Sequence, residues 1–181
     1  MSLQHPQLTI CGRDDLKKLF QNNKYDAIIS INDPDKAHKW DLYRREKWKK
    51  WIEENGCKDD ISSVLCLYFD DATPGDRSLF TRDLRLPLPV HIEQIVDFCS
   101  FWRTKQLLSN LSTSETINKK DFHVLIHCRM GISRSTAAAM IVLLEHGLSE
   151  ADALSIVKEV RPIACPNTHM LDLYRQRNNI R

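Results

Sequence analysis

Residues 122–135 read FHVLIHCRMGISRS, and the two halves of that stretch obey different rules. Phe122 to Ile126 reads as one continuous buried run, the pattern of a central strand covered on both faces rather than a strand with one wet side. From Arg134 onward the period changes: Ala137, Ile141 and Leu144 recur at helical spacing, and Gly147 is the expected stop. A buried strand, a short loop and a helix in that order form the repeating unit of a parallel α/β sheet.

Similar units lie upstream. Leu8 to Cys11 is a short strand candidate, and Asp14 to Phe20 a short helix. Tyr25 to Ile31 (YDAIISI) reads as a buried strand closed by Asn32-Asp33-Pro34, and Val64 to Phe69 (VLCLYF) as another. Between them, Lys36 to Asn55 is helical in pattern, rich in lysine and arginine, with Trp40, Tyr43, Trp48, Trp51 and Ile52 mostly on one face. That face either packs on the sheet or offers a basic, aromatic surface to an anionic lipid or phosphorylated partner. A loop holding Pro74-Gly75 and Leu86-Pro87-Leu88-Pro89 comes next. Ile92, Ile95, Val96, Cys99 and Trp102 then mark a long helix to about Leu108, and Ser112 to Lys120 reads as a solvated insertion.

After the decisive stretch, Ser149 with Asp152 forms an acidic variant of the capping box. It opens a helix whose inner face is Ala153, Ile156, Val157 and Val160, ended by Pro162. Pro166-Asn167 opens a last helix, with Asn167 a natural N-cap. The expected fold is α/β: a central, largely parallel sheet flanked by helices, with the loop 127–135 between its central strand and a helix.

Composition narrows the function. At 181 residues, with 42% hydrophobic and 28% charged residues, the chain suits one soluble domain. A net charge of +2 makes the whole molecule no nucleic-acid binder. The first 15 residues lack a secretory pattern, and no uncharged stretch reaches membrane-spanning length. The six cysteines are scattered without a C-x-x-C pair, which argues against a zinc site or disulfide framework and for a reducing, cytoplasmic setting. No metal or other cofactor is expected.

The loop itself carries chemistry. In so short a connection several backbone N–H groups can turn inward as an anion nest, to which the helix N-terminus adds its own unpaired N–H groups and dipole. Gly131 permits a close approach or a conformation that a side chain would obstruct. Arg134 brings a planar fork that can grip two phosphate oxygens. A thiol at the mouth of such a nest, Cys128, gains whatever stabilises an anion: a cysteine of pKa ~8.5 can fall to roughly 3.5–7.5 in such surroundings. An ionised Cys128 in line with a bound phosphorus is an activated nucleophile.

The run HCRMGISRS resembles the H-C-x-x-G-x-x-R-S/T signature of the protein tyrosine and dual-specificity phosphatase superfamily. The spacing through Arg161-Pro162 to Pro166-Asn167 resembles dual-specificity-type and related bacterial members. The resemblance covers about Tyr25 to Tyr174, is strong in the last third, and departs from the family at 25–55 and 112–120. It implies a single phosphatase domain over residues 1–181. It implies a phosphocysteine on Cys128, phosphate gripped by Arg134 and by the loop residues Arg129, Met130, Gly131, Ile132 and Ser133, and a Ser135 hydroxyl that steadies the departing thiolate. His127 would orient the loop and support the acidity of Cys128. Asn167 would cap its helix and could also reach the loop.

The resemblance also implies an aspartate that protonates the leaving group. Asp71 fits best, at the end of VLCLYF; Asp70 and Asp76 stay open. Arg129 at a variable loop position, with Arg77, Arg82 and Arg85, could meet substrate. The expected substrate is a phosphorylated protein: phosphotyrosine, with phosphoserine and phosphothreonine if the pocket is shallow. A phosphoinositide phosphatase, a non-catalytic phosphate-binding adaptor and a redox sensor are the competing readings.

Overall fold

The computed structural model describes residues 5–34, 40–58, 63–79, 84–112 and 122–179. Its strands are β1 (Gln7–Gly12), β2 (Ala27–Asn32), β3 (Ser63–Tyr68) and β4 (His123–Cys128). They hydrogen-bond in the order β1-β4-β2-β3, and every pairing is parallel. The helices are α1 (Leu16–Asn22), α2 (Trp40–Gly56), α3 (Pro89–Ser112), α4 (Arg134–Glu145), α5 (Glu150–Val160) and α6 (Thr168–Asn179). No helix among the described residues is long and apolar enough to cross a membrane.

Side chains alternate across a strand, so the unbroken runs feed two cores at once. Val124 and Ile126, with Ala27, Ile29 and Ile31, enter the larger core, which α3, α4, α5 and α6 complete. Leu125 and Ile28 face the other way and join Cys11, Leu16, Phe20, Tyr25 and Ile52 beneath α1 and α2. This two-sided burial is why β2 and β4 carry no polar alternation. β4 lies between β1 and β2, as its sequence predicted.

Three expectations need correction. α4 is not amphipathic: every residue from Arg134 to Leu143 is buried, because the helix is wedged against the sheet as well as α3, α5 and α6. Val160 does not belong to the inner face of α5; it is exposed at the last turn, while Ala153 and Val157 are buried. The Pro74-Gly75 loop winds into a 3-10 turn over Pro74–Leu79. On α2, Trp48, Trp51 and Ile52 pack inward but Tyr43 faces solvent. Residues 36–39, 113–120 and Arg82, and the side chains of Trp40 and Arg77, lie outside what is described.

The helix caps read as predicted. The Ser149 hydroxyl oxygen accepts from the Asp152 N–H at 3.2 Å, the Asn167 Oδ1 accepts from the Met170 N–H at 3.1 Å, and Gly147 takes a φ of 87° after α4. Each strand of a parallel sheet ends on the same side, and there the chain collects Gly12, Asn32-Asp33, Phe69-Asp70-Asp71 and Cys128. Open parallel sheets bind ligands at that edge.

Candidate active site

The loop from Cys128 to Arg134 is shaped by what its carbonyl groups bind. The Arg129 carbonyl accepts from the Arg13 N–H at 3.0 Å, and the Ile132 carbonyl from the Cys165 N–H at 2.9 Å. The Arg161 guanidinium takes the next two: Nη2 donates to the Met130 carbonyl and Nε to the Gly131 carbonyl, both at 3.1 Å. The Ser133 carbonyl accepts from the Ala137 and Asn167 N–H groups. In a trans peptide the N–H points opposite to the C=O. Carbonyls held outward therefore aim the following N–H groups inward, which is an anion nest.

Gly131 is required for this shape. Its φ is 71°, and a Cβ there would lie 2.4 Å from the backbone carbon of Cys11. The loop is thus seated directly on the end of β1.

Cys128 is only 1% exposed. Its Sγ accepts from the Gly131 N–H at 3.2 Å and lies 3.2 Å from the Ser135 Oγ. Burial pushes the thiol up, but the Ser135 hydroxyl, the Ser135 and Gly131 N–H groups and the Arg134 charge together outweigh it, leaving it below the ordinary cysteine value. His127 is fully buried, with Nδ1 3.4 Å from the Cys128 carbonyl. Burial holds its imidazole down to about 4, so at neutral pH it carries no charge to lend the thiolate.

Arg134 is pinned rather than free to sweep. Nη1 donates to the Phe69 carbonyl at 2.7 Å, and Nη2 pairs with the Asp33 Oδ1 at 2.8 Å. Asp33 Oδ2 also lies 3.8 Å from Arg129 Nη1. In the sequence Asp33 reads as a turn residue; its place after a buried strand, at the ligand-binding edge, is the signal that marks it.

The three aspartates separate cleanly. Asp71 Oδ1 accepts from the Ser133 Oγ at 2.6 Å and from the Asn167 Nδ2 at 3.1 Å, which ties the carboxyl to the loop. Asp70 is buried, its carboxylate accepting from the Arg85 N–H at 2.9 Å while its own N–H bonds the Arg85 carbonyl. Asp76 caps its turn, accepting from the Thr73 N–H and hydroxyl at 2.6 and 2.9 Å, and those bonds hold it below the usual carboxylate range. Asn167 caps α6 through its Oδ1, while its Nδ2 goes to Asp71 and only its backbone N–H reaches the loop, at the Ser133 carbonyl. Arg85 contributes its backbone to this framework.

A cleft of about 370 Å³ opens above the loop, lined by Asp33, Asp70, Asp71, Ala72, Leu84, Arg129, Met130 and Arg134. Arg129 and Met130 form its exposed rim. Among the described residues no three His, Cys, Asp or Glu side chains converge to hold a metal. A nucleophilic sulfur, a buried guanidinium, a nest of N–H groups and one carboxyl facing them can together hold a tetrahedral anion and displace one of its substituents.

Residues 89–179 match the family model of the dual specificity phosphatase catalytic domain. The chain belongs to the dual specificity phosphatases. The matched region holds Cys128, Arg134 and Asn167, whereas Asp33 and Asp71 precede it. Human dual specificity phosphatase 28 is 32% identical over 105 residues, which are 58% of this chain and 56% of that protein. The Slingshot homolog of Xenopus laevis is 25% identical over 164 residues, 89% of this chain and 22% of that protein. The alignment with human Slingshot homolog 3, at 41% identity, spans 9% of that protein. The chain thus spans well under two thirds of these relatives. Among solved structures, the Yvh1 phosphatase domain from Chaetomium thermophilum superposes with a TM-score of 0.54 at 18% identity, covering 98% of this chain and 93% of that one. Human DUSP28 gives 0.50 at 18%, covering 94% and 90%. At these identities the likeness is one of fold, and it is the parallel α/β fold of the tyrosine phosphatases.

Proposed function

We propose that this dual specificity phosphatase domain hydrolyses phosphate monoesters on protein side chains through a phosphocysteine at Cys128. The carrying observation is the Cys128 Sγ held by Gly131 and Ser135 at the mouth of the nest and kept acidic despite burial. In the first step the thiolate attacks phosphorus and the bond to the leaving oxygen breaks. Asp71 gives that oxygen its proton; both of its hydrogen bonds fall on Oδ1, so Oδ2 is the oxygen available to carry it. In the second step water attacks the phosphocysteine, its proton passes to Asp71, and the sulfur leaves as a thiolate steadied by the Ser135 hydroxyl.

The Arg134 guanidinium and the inward N–H groups of Met130 to Arg134 hold the equatorial oxygens through both displacements, where preorganised donors count most. Asp33 must yield Nη2 to the phosphate or share it, so it tunes how strongly Arg134 is committed before substrate arrives. No aromatic ring lines the cleft among the described residues. Membership of the dual specificity phosphatases supports phosphotyrosine, phosphoserine and phosphothreonine together as substrates. A nucleophilic thiol needs reducing surroundings, and all six cysteines are unpaired; both support action in the cytoplasm.

The test is turnover of p-nitrophenyl phosphate with chelator present, followed by matched phosphotyrosine and phosphothreonine peptides. The reading predicts activity abolished in Cys128→Ser and comparable turnover of both peptides. A wild type that is folded, reduced and silent on all three would overturn the catalytic reading. Strict tyrosine preference would overturn the dual specificity.

A further inference from the structure

Three carboxylates line the cleft above the Cys128 loop, and two of them have a part already. Asp71 holds the Ser133 hydroxyl and the Asn167 amide, and Asp70 accepts from the Arg85 N–H. Asp33 is different. Its Oδ1 lies 2.8 Å from Arg134 Nη2, on a group that a phosphoryl oxygen would also seek. A negative charge there works against a bound phosphate.

That contact is built into the fold. Asn32 is buried and tied at both ends of its amide: Nδ2 donates to the Ser30 carbonyl and Oγ at 3.3 and 3.0 Å, and Oδ1 accepts from Arg13. Pro34 restricts the residue before it to extended backbone. Asp33 is thus presented from a fixed chain end beside Arg134. The guanidinium is fixed as well, with its side chain 3% exposed and Nη1 donating to the Phe69 carbonyl. Its Nε is buried and has no hydrogen-bonding partner among the described residues. A buried donor without a partner calls for an acceptor, which a phosphoryl oxygen supplies. Nε then meets phosphate uncontested, whereas Nη2 is contested by Asp33.

We infer that Asp33 governs product release: its carboxylate competes with phosphoryl oxygens for Arg134 Nη2 and keeps inorganic phosphate weakly held in the cleft. This rests on the catalytic reading above. An arriving phosphate shares Nη2 with the carboxylate or drives it off. Arg129 Nη1, 3.8 Å from Asp33 Oδ2, is the cation onto which the carboxylate then swings. The Asp33 side chain is 41% exposed and that of Arg129 72%, so neither is packed against such a movement. Once hydrolysis is complete the carboxylate returns to Nη2 and phosphate leaves. A mere brace for Arg134 would need no charge, because an amide oxygen accepts the same hydrogen bond.

The experiment measures inhibition of p-nitrophenyl phosphate turnover by inorganic phosphate in wild type, Asp33→Asn and Asp33→Glu, with phosphate binding followed in parallel by calorimetry. Asp33→Asn keeps an oxygen for Nη2 and removes the charge. Its Ki and Kd for phosphate should fall roughly tenfold, the lower end of what one charge-assisted hydrogen bond is worth. KM should fall in step with no gain in kcat, because the relief is felt by every bound phosphate alike. Asp33→Glu keeps the charge and should return Ki most of the way to the wild-type value. A Ki unmoved or raised in Asp33→Asn, or a loss confined to kcat, would overturn the inference and leave Asp33 a brace for Arg134. So would an Asp33→Glu variant that holds phosphate as tightly as Asp33→Asn. Calorimetry separates the two readings, since it needs no turnover. Tighter phosphate binding by Asp33→Asn, in a protein whose wild type is inactive, would keep the competition and sink the catalysis. Turnover by wild type with no change of phosphate affinity in the variant would do the reverse.

Discussion

Cys11 and Cys128 stand at the same end of adjacent strands, where Cys11 is in register with His127 and Gly12 with Cys128. They are 3% and 1% exposed. Burial of equal depth would give two equally reluctant thiols, yet they diverge. Cys11 is pushed up to about 12, first by burial and then by the nearby Asp15 carboxylate. Cys128 is drawn below its ordinary value although burial opposes it. What differs is direction. Cys11 faces the apolar cluster of Leu16, Phe20 and Tyr25, whereas Cys128 faces N–H groups, a hydroxyl and a guanidinium. A reactive cysteine is made by its donors, and a buried one without donors is inert.

That contrast can be broken from several sides. Cys128→Ser should cost on the order of 10⁴-fold or more in turnover, since no other buried thiol can substitute for it. Asp71→Asn should cost roughly 10²–10⁴-fold on an alkyl phosphate and far less on p-nitrophenyl phosphate, whose leaving group needs little help. An equal loss on both would move Asp71 from proton donor to loop brace through Ser133 and Asn167. Ser135→Ala removes one donor and makes Cys128 more like Cys11: turnover should fall about tenfold, with the acidic limb of its pH profile moved upward. Cys11→Ala should leave turnover within about threefold and cost about 1 kcal/mol of stability. A larger rate effect would mean that the seat under Gly131 matters more than the donors above it.

The pH dependence of stability should carry opposite signs at the two sites. For Cys128 the unfolded state holds its proton more tightly, so the stabilisation is present above pH 9.0 and fades as pH falls through the folded value. For Cys11 the folded state holds the proton more tightly, so stability declines as pH rises from 9.0 toward about 12.

The site was legible where chemistry is local in sequence. Residues 127–135 show thiol, glycine and arginine in one run, and VLCLYF leads into the pair Asp70-Asp71. Two features were not legible, because partners distant in the chain make them. The Arg161 fork that turns the Met130 and Gly131 carbonyls outward comes from the far side of α5. Asp33 meets Arg134 only because β2 lies beside β4. The fold was legible for the matching reason: two-sided burial writes itself into β2 and β4 as unbroken apolar runs. The burial of α4 on all sides from Arg134 to Leu143 is not legible, since Ala137, Ile141 and Leu144 look like one stripe until three helices and the sheet close around it.

The most direct test is a pH titration of thiolate absorbance, taken as wild type minus Cys128→Ser and, separately, wild type minus Cys11→Ala. The first difference should show the thiolate forming below pH 9.0, and the second none until far above it. A Cys128 that titrates at or above 9.0, or together with Cys11, would contradict the claim that the loop's donors make this thiol a nucleophile.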